Sequence, residues 1–274
     1  MVWRLQDDEN FESFFVRPHQ TGNPDAIQYT PVFNDISSWQ LYHGEGYWAP
    51  IPFPLDEWFR IRVVFSGTRA QVYVGDLEQP ALEVRELKRP PAAGKIGVFV
   101  GGPPVHLSNF AYSPGGVALD DLPRVEALEG VVPGWSVSDP FSEDAIADSF
   151  EGRSWTLLPS EPSGLADLSR VNGIRDGRDT VLARALIRSE RTQTKVLEFG
   201  FSDRAAVFLN GQELYRGDDT YRSRDYRFLG SIGYYDQLVL PLVEGENELV
   251  FAVSEDFGGW GVQARFPDSA GLEL

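Results

Sequence analysis

The chain has 274 residues, 42% hydrophobic, 13% aromatic and 24% charged, a globular composition long enough for two domains and outside the regime of intrinsic disorder. A formal net charge of −17 repels phosphate backbones and anionic lipid, which argues against nucleic acid and membranes as partners; it leaves neutral sugars and cations compatible, and it also serves solubility. With no cysteine, disulfides, thiolate metal sites and a cysteine nucleophile are excluded.

Short β-patterned runs dominate from the start. Trp3-Arg4-Leu5 reads as a core strand, and FESFFVRP, WFRIRVVFSG, RAQVYVGD, KIGVFVGG and HLSNFAYS are rich in Val, Ile, Phe and Tyr between Gly, Pro or Asp boundaries. Ile61 and Val63 alternate with Arg60 and Arg62, as in a strand with one wet face, and Ser66-Gly67-Thr68 reads as a hairpin turn. From about 114 to 154 the texture becomes acidic and punctuated by Gly and Pro. This stretch reads as a connecting arm with a short helix near Glu143 to Ala147, and Trp135, Phe141 and Phe150 make it apolar enough to pack on a domain. Strands then return in TVLARALIRS, TKVLEFGFSD, RAAVFLNGQELYRG, YDQLVLPLV, NELVFAVSE and WGVQARFP, with Asn210-Gly211 suited to a type I′ turn. The reading is all-β: two β-sandwich domains, 1–113 and 155–274, joined by an irregular acidic linker, 114–154.

In the first half, DEWFRIRVVFSGTRAQVYVGD, GKIGVFVGG and HLSNFAYS resemble the concanavalin A-like lectin/glucanase superfamily, with laminin G-like domains and the 3-keto-disaccharide hydrolase-like group among its branches. In the second half, FGFSDRAAVFLNGQELYRG followed by LVLPLVEGENELVFAVSE resembles galactose-binding-like jelly rolls. The first resemblance implies a sandwich whose N-terminal strands, and any signal peptide, lie upstream of Met1; a shortened sandwich completed by the second domain or by another copy is the alternative. The compartment follows from that choice, extracytoplasmic with an upstream signal and cytoplasmic without one. No run approaches the roughly 20 apolar residues of a membrane-spanning helix.

Sugar sites combine aromatic faces, which cover the C–H side of the ring, with planar groups that bond hydroxyls in pairs. The segment from Arg17 to Trp48 supplies both, and Arg17, His19, Gln28, Trp39, Tyr42, His43 and Glu45 are its candidate ligand-binding residues. The same aromatics also suit a sandwich core, and Arg17 with Glu45 an ordinary ion pair. A second cluster runs from Asp218 to Arg227, with Glu255 to Trp260 later; Gly258-Gly259 allows a close backbone approach or an exposed ring at Trp260, the remaining candidate. Its alternating Arg and Asp equally suit a salt-bridged surface.

Catalytic signatures are missing. The histidines lack H-E-x-x-H spacing, and there is no G-x-S-x-G elbow, phosphate loop or G-x-G-x-x-G after a strand. Glycosidases need two carboxyl groups about 5 or 6.5–9.5 Å apart. The single-strand E-x-D-x-(x)-E pattern is absent, although Asp8, Asn10 and Glu12 alternate on one strand face, with Asp8 suited to a solvated turn. No cofactor is required; a structural calcium ion is compatible with the acidic loops around Asp7 and Asp218. The leading expectation is a non-catalytic carbohydrate-binding or scaffold protein. The alternatives are a hydrolase or lyase acting on a sugar derivative, with His43 or Glu45 as acid/base, and a structural or protein-binding module.

Overall fold

A computed structural model describes residues 1–54, 56–102, 105–115, 118–119, 125–225, 227 and 229–274. The protein is all-β, and among the described residues its helical content is confined to short 3₁₀ turns. Two compact units emerge, one of Met1–Val32 with Tyr42–Pro123 and one of Phe33–Leu41 with Arg124–Leu274.

In the first unit, β1 (Val2–Asp7) and β2 (Asn10–Val16) form a hairpin closed by the Asp7↔Asn10 pair. β3 (Ile27–Phe33) continues the sheet antiparallel to β2, and β5 (Trp48–Ala49) pairs with Ile27 and Gln28 of β3; β4 (Ile36–Ser37), next in the chain after β3, belongs to the second unit. β6 (Ile61–Ser66), β7 (Arg69–Val74) and β8 (Leu82–Val84) make a second sheet, and β9 (Lys95–Gly97) flanks β1. Trp3, Phe14, Ile27 and Tyr29 from one sheet and Ala70, Val72, Leu82 and Val84 from the other share one core, the arrangement of a β-sandwich. Ser66 pairs with Arg69 across Gly67-Thr68, so the expected hairpin forms there. Val63 packs against the core, and exposed Arg62 places its guanidinium 3.9 Å from the Tyr73 ring centroid, one dry face and one wet.

Two expectations for this unit fail. Trp58 lies outside β6 and is exposed, so it does not open that strand. KIGVFVGG contributes only Lys95–Gly97, and no strand forms in HLSNFAYS, where Leu107, Phe110 and Tyr112 are exposed. Alternation makes a segment capable of being a strand, but a strand exists only beside a neighbour that accepts its backbone hydrogen bonds.

The second unit is built on β10 (Gly134–Ser138), β11 (Trp155–Pro159), β12 (Leu165–Asp167), β13 (Thr180–Ser189), β14 (Gln193–Ser202), β15 (Arg204–Leu209), β16 (Gln212–Asp218), β17 (Asp236–Leu242), β18 (Gly245–Ser254), β19 (Gly261–Arg265) and β20 (Leu272–Glu273). One sheet runs β11-β10-β13-β18-β15-β16 with β20 beside β13; the other runs β12-β19-β14-β17. Their facing side chains, among them Trp135, Val181, Phe199, Phe201, Leu240, Phe251 and Trp260, form the largest core of the chain. Asn210 and Gly211 both take positive φ, 51° and 79°, as the type I′ turn between β15 and β16 demands.

The connecting arm expected at 114–154 is largely part of this unit. β10 is hydrogen-bonded between β11 and β13, Trp135 is fully buried, and Phe141 bridges to Thr180. The short helix expected near Glu143 is a 3₁₀ segment, Glu143–Asp148, whose Ile146 packs on the outer face of β13, β15 and β18. Acidic Gly- and Pro-bounded text hid a five-residue strand. Phe33–Leu41 also leaves the first half: Ile36 joins the second core, Asn34 Nδ2 donates to the Ser169 carbonyl (2.7 Å) and Ser38 Oγ to Asp167 Oδ2 (3.1 Å).

Candidate functional site

Trp39, carried on the transferred segment, meets rings from two distant loops of the second unit. Its centroid lies 6.1 Å from Tyr221 and 5.8 Å from Phe257, and those two lie 6.5 Å apart, all three pairs edge-to-face. Trp39 is 9% exposed and serves as the base, whereas Tyr221 is 40% and Phe257 60% exposed. Leaving such rings in water forgoes the free energy of burying them, and the loop that carries Phe257 is held in place by hydrogen bonds.

The holding is done by buried polar groups. Asp203 Oδ2 accepts the backbone N–H of both Asp256 and Phe257 at 2.7 Å, and Glu255 Oε1 accepts the Gly259 N–H at 3.0 Å. Gln40 receives the Ile232 N–H on its carbonyl, donates its own N–H to the Gly258 carbonyl, and sends Nε2 to the Leu229 carbonyl at 2.9 Å. A Cβ on Gly258 would stand 2.2 Å from Gln40 Oε1, and one on Gly259 would stand 3.0 Å from Ser38 Cα, so both glycines are needed for the close approach. Behind Tyr221, Arg224 pairs with Asp219 (2.9 Å) and with Asp236 (2.5 Å), and Asp218 Oδ1 accepts the Thr220 N–H. The alternating Arg and Asp residues therefore brace a loop, as the salt-bridge reading anticipated.

Burial dominates the electrostatics here. It raises the Asp203 carboxyl to about 6 against the pull of the Phe257 and Asp256 amides, and raises Asp219 to about 7 against the pull of Arg224. Glu255 is pushed up by its burial first and by the nearby Asp203 charge second. Exposed Arg222, whose guanidinium stands 4.8 Å from the Tyr221 ring centroid, and exposed Asp256 beside Phe257 put planar polar groups at the edge of the cluster.

The structure separates the other candidates. Trp260 is fully buried in the core and donates its indole N–H to the Val253 carbonyl at 3.0 Å, so it faces no ligand; Gly258-Gly259 exposes Phe257 instead. Gln28 is likewise fully buried, accepting from Arg17 Nη1 at 3.1 Å and donating to the Tyr42 carbonyl at 2.8 Å. Arg17 pairs with Asp25 at 3.0 Å and lies over the Phe15 ring, and Tyr42 is buried against Tyr47. These three brace the first unit around Gln28 of β3, whose buried polar side chain must find partners where water is excluded. His19 is exposed on the 3₁₀ turn Pro18–Gln20. His43 packs its ring on Trp48 with centroids 5.4 Å apart, and Glu45 pairs with Arg85 at 3.0 Å rather than with Arg17.

Of the alternating set near the start, Asp8 lies exposed in the β1–β2 turn, while Glu12 is fully buried and accepts from Tyr29 Oη (2.6 Å) and the Arg89 N–H (3.1 Å). Among the described residues no group of three or more His, Asp or Glu is arranged to hold a metal ion, and Asp7 and Asp218 each cap their own turn. The sequence does not show that Trp39 meets Tyr221 and Phe257, or that Asp203 and Gln40 clamp the loop that carries Phe257. The grouping of the Asp218–Arg227 and Glu255–Trp260 loops, with Gly258-Gly259 permitting a close approach, is the part of the site that the sequence signals.

No family model and no curated protein matches the chain. Among solved structures it is similar to a family 35 carbohydrate-binding module from an environmental isolate (14% identity, TM-score 0.29), over 53% of this chain and 90% of that one. It is also similar to a β-glucosidase from Kluyveromyces marxianus, at 11% identity and TM-score 0.33, and to the same enzyme with glucose, at 12% and 0.32. Each of those matches covers 51% of this chain and 16% of the enzyme.

Proposed function

We propose that the protein binds carbohydrate without transforming it, through the loop-borne cluster of Trp39, Tyr221 and Phe257. The observation that carries the reading is the pair of exposed rings on braced loops, Phe257 held through the buried Asp203, Glu255 and Gln40 and Tyr221 through the Arg224 ion pairs and the Asp218 turn. A sugar ring stacks its C–H face on an aromatic side chain, and the contact is stronger when the ring is already immobilised, because less conformational freedom is lost on binding. Arg222 and Asp256 supply the planar donor and acceptor groups that hydroxyl pairs require. The resemblances in sequence to concanavalin A-like and galactose-binding-like sandwiches support the same reading.

A glycan array with the purified chain, followed by calorimetry on each hit, tests it. Phe257→Ala and Tyr221→Ala remove exposed rings, so both variants should keep the wild-type circular dichroism spectrum and lose about tenfold or more in affinity, equivalent to about 1.4 kcal/mol or more. Array hits that both variants bind with unchanged affinity would refute the site.

A further inference from the structure

We propose that the first unit carries a second, separate sugar site, a one-ring subsite for a neutral hexose centred on Trp48. It rests on the carbohydrate reading above and extends it to a surface that the Phe257 cluster does not include. A depression of about 220 Å³ is lined by Trp48, Glu45, Gly46, Leu82, Glu83 and Arg85. That volume is below the roughly 300–1,000 Å³ of pockets for drug-sized ligands, which suits a single sugar ring.

Its parts are placed by strands. β5 pairs Trp48 with Gln28 of β3, and the Trp48 ring is backed by His43. β8 buries Leu82 and Val84 and turns Glu83 outward, the period-two consequence of a strand with one dry face. Gln71 Nε2 donates to Glu83 Oε1 at 2.9 Å and fixes that carboxylate. Glu45 and Arg85 form their 3.0 Å pair at the rim with both side chains mostly exposed. One indole, two carboxylates and one guanidinium therefore converge on a shallow hollow. The indole offers a stacking surface, and the carboxylates and guanidinium offer acceptors and donors to adjacent hydroxyls. With two acidic side chains against one basic one the hollow repels anions, which selects neutral hexoses over uronic acids.

The test is a titration of the full chain followed by its tryptophan indole N–H signals in NMR, with the Trp48 signal assigned from its loss in Trp48→Phe. The probes are the methyl glycosides of glucose, galactose and mannose, and glucuronate. At least one neutral glycoside should move the Trp48 signal, with a Kd on the order of 1 mM. The shift should persist in Phe257→Ala, weaken about tenfold in Arg85→Ala, and need a higher concentration of glucuronate. A Trp48 signal unmoved by all three glycosides overturns the second site, as does a shift that Phe257→Ala abolishes. If glycan binding depends on Phe257 while Trp48 stays still, the second site fails and the reading above stands. If Trp48 moves and Phe257→Ala alters no glycan binding, the reading above fails and the second site stands.

Discussion

Trp260 and Phe257 stand three positions apart and have opposite fates, and the difference is set by backbone rather than by hydrophobicity. Gly258 and Gly259 take φ of 111° and 140°, which lets the chain turn between an exposed ring and a ring wholly inside the core. The indole of Trp260 has its one polar atom satisfied by the Val253 carbonyl, so it belongs to the interior energetically as well as sterically. Trp260→Ala should cost about 3–5 kcal/mol of stability through the cavity it leaves. Urea unfolding measures that loss, and a variant of native stability with lost glycan affinity would reverse the assignment.

At the scale of the element, the loop Glu255–Gly259 is clamped from below by Asp203 and from the side by Gln40. Gly258→Ala would bring a methyl group into Gln40 Oε1 and force an L side chain into a backbone region that glycine favours. The expected result is a lower melting temperature together with weaker glycan binding, because the displaced loop carries Phe257. A Gly258→Ala protein with both properties unchanged would show that the clamp does not position the ring. Strand pattern, the Asn210-Gly211 turn and the Ser66–Thr68 hairpin were legible in the sequence because they depend on neighbours a few residues apart. The strand status of HLSNFAYS and of Gly134–Ser138 was not, since it depends on whether a distant edge is available for pairing. Trp39 was recognised as a candidate, but its partners lie about 180 and 220 residues along the chain, where local pattern has no reach. Gln28 and Arg17 misled for the complementary reason: polar residues able to bond a sugar are equally able to bond each other inside a sandwich.

Across the molecule, 41 acidic residues face 24 basic ones, and the second unit buries carboxyl groups within that excess. Asp203 and Asp219, raised by burial to about 6 and about 7, hold their protons at pH values where the unfolded chain has released them. Between about pH 4 and about 7 the native state thus binds more protons than the unfolded state, and stability from these groups falls as pH rises through that window. Asp139, Asp218 and Asp268 are shifted downward, so their contribution is present above the unfolded pKa and disappears only at more acidic pH. Asp219→Asn isolates the first effect, because the amide is neutral in both states at every pH. The variant also gives up the charge that pairs with Arg224, an offset that is complete once Asp219 is ionised. If burial outweighs that pairing, as the upward shift implies, urea unfolding should show the variant gaining stability relative to wild type between pH 5 and pH 8. A stability difference that is constant with pH, or that moves in the wild type's favour as pH rises, would mean that Asp219 is ionised in the fold throughout and that Arg224 compensates it fully.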